Sequence, residues 1–174
     1  MNTLRDRIEQ WEFNRERTLE TLKAIAETKA PQAVLSWQPG LGRAHIAWQL
    51  MHIAVTEEVF AMMHPDFQPT LSQDLLGRFR KGSVADERVP SLDEIRDTLE
   101  LTRGHLLATM KQFTDDDLGV VPASLKERGW NLGMALKIVA WHEPHHQGQA
   151  HLTFNLWKAG QGECSPQQRT VNLF

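Results

Sequence analysis

The chain has 174 residues, 41% of them hydrophobic and 24% charged, with a net charge of −3, and a length of this order buries a sizeable core without disulfides or a structural metal. That negative net charge offers no electrostatic footprint for nucleic acid. No run of some 18 apolar residues is present to span a bilayer, Met1 to Ala30 lacks the apolar stretch of a secretion signal, and the lone Cys164 excludes an internal disulfide framework. A single cytoplasmic domain over 1–174 is expected.

Apolar residues at Leu4, Ile8, Trp11, Leu19, Leu22 and Ile25 alternate by three and four, which predicts a first amphipathic helix over about 3–28 with Arg15 as the main exception. Pro31 and Pro39-Gly40 punctuate a loop. A second helix over 43–63 carries His45, Trp48, His52, Val55, Val59 and Met62 on one stripe, so two histidines stand where core residues belong. Residues 65–90 hold three prolines and two glycines and no sustained periodicity beyond a short helical stretch near Leu71 to Phe79. A connection this long suits a crossover that leaves its flanking helices parallel. Ser91 and Glu94 form a capping box that opens a third helix over 91–113, striped by Leu92, Ile95, Leu99, Leu106, Met110 and Phe113.

Asn131 caps a fourth helix over 131–158, with Gly160 as its terminator and an irregular tail from 160 to 174. Its inward stripe runs Leu132, Ala135, Val139, His142, His146, Gln149, Thr153 and Leu156, turning from apolar to polar halfway. A purely structural face avoids that desolvation cost, so the polar half is expected to line a site. Pro144 lies between the two histidines, removes the hydrogen bond to the Ala140 carbonyl and predicts a kink. Four long amphipathic segments without an alternating strand pattern predict an all-α four-helix bundle.

His142 and His146 stand four apart on this helix and project from one face, the spacing that closes a chelate around one ion. If the second helix packs beside the fourth, His52 completes three neutral nitrogen ligands and leaves a coordination position open. Zn²⁺ suits such a site best, with Ni²⁺, Mn²⁺ or Fe²⁺ also allowed. His45 is two turns from His52, about 11 Å along the axis, so one ion cannot take both. His45 and Gln149 are therefore assigned to the pocket or to the layer behind the ligands.

His142-Glu143-Pro144-His145-His146 also matches H-E-x-x-H, in which Glu143 would be a general base, but Gln149 and Leu152 stand where a metzincin needs glycine and a third histidine. Glu143 to His146 reads as half of a di-iron motif, yet no histidine follows Glu57-Glu58 at the required spacing.

Met51-His52-Ile53-Ala54 followed by Glu57-Glu58, together with His142-Glu143-Pro144-His145-His146-Gln147-Gly148-Gln149, resembles the DinB/YfiT-like superfamily, with order and spacing fitting from the first helix to about Ala159. The resemblance implies an up-down-down-up topology, and His52, His142 and His146 as metal ligands. It also implies chemistry on a small-molecule substrate: some relatives are transferases or isomerases that use low-molecular-weight thiols, others metal-dependent hydrolases. A thiol-dependent transferase is the preferred expectation. A hydrolase with Glu143 assisting catalytically, a non-catalytic metal-binding stress protein and a homodimer are the further ones.

Overall fold

The structure is a computed structural model that describes residues 3–161. Six α-helices run in order: α1 Leu4–Ala26, α2 Pro31–Ser36, α3 Ile46–Ala61, α4 Gln73–Phe79, α5 Leu92–Met110 and α6 Leu132–Gly160. Two 3-10 turns, Asp115–Gly119 and Ala123–Arg128, join α5 to α6. The described residues contain no strand, and none of their helices is long and apolar enough to cross a membrane. The expected tail from 162 onward, with Cys164, lies outside the described residues.

The helix starts follow from their caps. Thr3 and Asp6 close a capping box on α1, Ser91 and Glu94 close one on α5, and the Asn131 side chain accepts from the Met134 N–H at 2.9 Å. Helix α2 departs from the expected loop: Pro31 occupies its first turn, where the missing N–H costs nothing, and Val34 and Leu35 are fully buried.

Hydrogen bonds between helices fix their relative directions. Arg15 reaches the Leu99 carbonyl and Arg103 the Trp11 carbonyl, so residue numbers rise along α1 as they fall along α5. They rise together along α1 and α6, through Asn14 to Ala140, Thr18 to Glu143 and Thr21 to Gln147. They also rise together along α3 and α5, through Glu57 to Arg103 and Ala61 to Thr109. Helices α3 and α6 run oppositely, with Gln49 meeting Gln149 and His52 meeting His142.

The core has two apolar clusters, one holding Ile25, Leu50, Ile53, Leu99 and Phe154, the other Trp11, Phe60, Leu106, Leu136 and Val139. Along each long helix a buried polar group falls between them: Arg15 and Thr18 on α1, Glu57 on α3, Thr102 and Arg103 on α5, Glu143 on α6. Arg15 donates to Glu143 at 2.7 Å and to Glu57 at 2.9 Å, and Arg103 to Glu57 at 3.0 Å and to Glu143 at 2.5 Å. Arg15, the exception in the first helix's pattern, is thus a core residue with its charge matched.

The stripe expected on the fourth helix advances by the heptad step, which drifts about 20° per heptad from a straight helix, roughly 70° by its far end. Leu156 accordingly faces solvent, while Glu143, Ala150 and Phe154 hold the core line. His142 and His146 fall on the flank of α6 that meets α3, and both are half-buried.

Helix α6 continues unbroken through Pro144. The Ala140 carbonyl that Pro144 cannot serve accepts instead from the Asn14 side-chain amide at 2.9 Å, and Gln10 orients that amide at 3.0 Å. Asn14→Ala is expected to cost about 1–3 kcal/mol by stranding this acceptor. In a Pro144→Ala background, where the backbone N–H returns, the same substitution should cost less. Urea unfolding of the four proteins of this double-mutant cycle measures the difference.

Candidate metal centre

Helix α3 places Gln49, His52 and Thr56 on one flank, and α6 places His142, His146 and Gln149 opposite them. The ligand atoms of His52, His142 and His146 all lie within 4.8 Å of one another, and among the described residues no carboxylate or thiol joins them. The ring centroids are 4.4 Å apart for His142 and His146, 4.6 Å for His52 and His146, and 4.9 Å for His52 and His142.

The surroundings choose which nitrogen each ring presents. His52 Nδ1 donates to the Phe79 carbonyl at 2.6 Å, and His146 Nδ1 donates to Gln49 Oε1 at 2.6 Å. In both rings the proton is held behind and Nε2 keeps its lone pair, the outer arrangement typical of metal-ligating histidines. His52 Nε2 and His142 Nε2 stand 3.2 Å apart, close to the roughly 3.3 Å that two nitrogens take up on one tetrahedral zinc. Thr56 Oγ1 lies 3.3 Å from His142 Nε2. Trp48 stacks on His52 with centroids 4.7 Å apart and closes the ring's inner side.

Burial lowers the pKa of His52. Burial, reinforced by the neighbouring histidines, lowers His142 and His146 to about 3. Three neutral imidazoles with converging lone pairs are the form that binds a divalent ion at neutral pH. The donor set therefore fits zinc and also admits nickel, manganese or iron.

The other expected site residues are placed differently. Glu143 is 2% exposed, and its carboxylate is taken by Arg15, Arg103 and the Thr18 hydroxyl, with no contact to the histidines. His45 caps α3: its Nδ1 accepts from the Trp48 N–H at 3.0 Å, and its Nε2 donates to the Asp86 carbonyl at 3.1 Å. Gln149 accepts from Gln49 at 3.1 Å and donates to His145 Nε2 at 2.8 Å, so it lies behind the amide that orients His146. His105 is partly buried and donates to Glu58 at 2.7 Å.

Gln49, Thr56 and the Phe79 carbonyl were not anticipated. Gln49 carried a signal, a polar side chain three residues before His52 and so on the same helix face. The Phe79 carbonyl carried none, since every residue has one. The crossover between α3 and α5 delivers it, and it also binds Trp48 through the Ser83 hydroxyl at 3.1 Å and His45 through Asp86.

Replacing Gln49 with Leu keeps all three ligands and removes the acceptor on His146 Nδ1. Metal affinity, measured by chelator competition, is expected to fall about 10–100-fold. For the metal-free protein the folded-state pKa values of His142 and His146 lie below the ordinary 6.5. The unfolded chain therefore takes up protons first as the pH falls, so these groups' contribution is complete above about 6.5 and is lost progressively towards about 3. Urea midpoints measured from pH 7 down to pH 4 should fall more steeply for wild type than for the double variant His142→Gln, His146→Gln.

A comparison with curated proteins finds no match. The family model of the DinB superfamily matches residues 10–150, a span that carries α3, the crossover and both α6 histidines. The chain belongs to the DinB superfamily.

Proposed function

We propose that this chain is a metal-dependent transferase in which a low-molecular-weight thiol is the nucleophile and a small electrophilic molecule the acceptor. His52, His142 and His146 would hold one divalent ion, zinc fitting best. The frame proposed for them is an up-down-down-up four-helix bundle, supported by the parallel pairs α1 with α6 and α3 with α5 and the antiparallel pairs α1 with α5 and α3 with α6.

One observation favours a thiol over water. The carboxylate that a water-activating site would use, Glu143, is held by two arginines and a threonine, and among the described residues no carboxylate joins the histidines. A thiol ionises near pH 8.5 unaided, so it reaches its reactive form without a strong base. When bound, the ion supplies the positive charge that lowers that pKa further. The chain's own part is to keep two ligand protons on Nδ1, at the Phe79 carbonyl and Gln49 Oε1, and to offer the Thr56 hydroxyl, 3.3 Å from His142 Nε2.

Purified wild type is expected to carry close to one divalent ion per chain, and His52→Ala and His142→Ala to lose it, as read by elemental analysis. Stoichiometric metal in either variant contradicts the three-histidine site. Thiols paired with electrophiles, screened beside ester and amide hydrolysis, separate the chemistries: turnover confined to hydrolysis rejects the transferase.

A further inference from the structure

Beside the histidines, the outer face of α6 carries a feature that packing does not account for. Trp141 is 60% exposed, although an indole is among the side chains that gain most from burial. Its ring stacks on His145 with centroids 4.6 Å apart and planes 25° apart. His145 in turn meets His146 edge to face, with centroids 4.9 Å apart. The exposed indole is thus two ring contacts from a proposed metal ligand.

The stack is also tied to that ligand by hydrogen bonds. Gln149 donates to His145 Nε2 at 2.8 Å and accepts from Gln49, which itself accepts from His146 Nδ1. One pair of amides therefore orients both the ligand and the imidazole under Trp141. On the same outward face, Gly148 has nothing within 4 Å of where a Cβ would stand. A mid-helix glycine costs about 1 kcal/mol relative to alanine, and neither backbone conformation nor packing calls for one here.

We infer that Trp141 and His145 form a substrate ledge beside the metal centre, and that Trp141 selects acceptors carrying a planar, π-faced group next to the reacting atom. An exposed indole held parallel to an imidazole offers the offset-stacking surface that flat rings prefer and that saturated chains of equal size use less well. The inference rests on the metal reading above, because the ledge acts on a molecule whose other end lies at the open coordination position.

The test uses two hydroxamates that share a metal-binding head, benzohydroxamate with a flat ring and acetohydroxamate without one. Calorimetric titration of the zinc-loaded protein should show benzohydroxamate binding more tightly, by about 3–10-fold from stacking. Trp141→Ala should bring the ratio to about one while leaving acetohydroxamate affinity and zinc content unchanged, and Trp141→Phe should restore most of the preference. Acetohydroxamate binding without a preference for the aromatic probe, or a preference that survives in Trp141→Ala, overturns the ledge and leaves the metal centre standing. Failure of the zinc-loaded protein to bind acetohydroxamate overturns the open position and the ledge with it.

Discussion

Two arginines and two glutamates, one from each long helix, meet in the middle of the core, and the site depends on their meeting. Each guanidinium bridges both carboxylates, and each also donates to a main-chain carbonyl, Arg15 to Leu99 and Arg103 to Trp11. Burial alone would pull the Arg15 pKa down; Glu57 and Glu143 outweigh it and hold it above its ordinary value. Such a cluster adds little net stability relative to apolar packing, yet removing one member strands a buried charge at about 3–5 kcal/mol. Its effect is specificity of alignment. Glu143 follows His142 in the chain, and Glu57 lies five residues after His52. A one-turn slip of α3 against α6, about 5.4 Å, would unpair the charges and separate the histidines together.

Two further devices keep the three histidines in place. Asn14 supplies the hydrogen bond that Pro144 removes, so α6 remains one helix across His142 and His146. The crossover grips α3 at three points on one stripe, His45 by Asp86, Trp48 by Ser83 and His52 by Phe79. Asp86 is itself held by Arg78 at 3.0 Å. The His52 ring is therefore fixed from behind by a segment whose own sequence shows little regularity.

The legible parts of this molecule were those with a local rule. The capping box at Ser91, the Asn131 cap and the stripe Ile95, Leu99, Leu106 located helix starts and faces to within a few residues. The i, i+4 spacing of His142 and His146 located the histidine pair, and the His52 ring meets it across the α3 and α6 contact. The illegible parts were relations between distant segments. Arg15 looked like a flaw in a helix pattern because its partners lie on three other helices. Glu143 fits the general-base position of H-E-x-x-H, while the 100° step between adjacent helical residues turns it from the His142 face into the core. Pro144 looked disruptive because its remedy, Asn14, is on another helix. Sequence spacing reveals which side chains share a face; it does not reveal what stands opposite.

The proposed chemistry requires three neutral nitrogens from three imidazoles, with one exchangeable position left. X-ray absorption at the zinc edge of the loaded protein tests it most directly. The spectrum should show a first shell of three imidazole nitrogens at about 2.0–2.1 Å, plus one light atom that is replaced by sulfur when a thiol is added. A shell containing protein sulfur or a carboxylate, or four nitrogens that no thiol displaces, would contradict it.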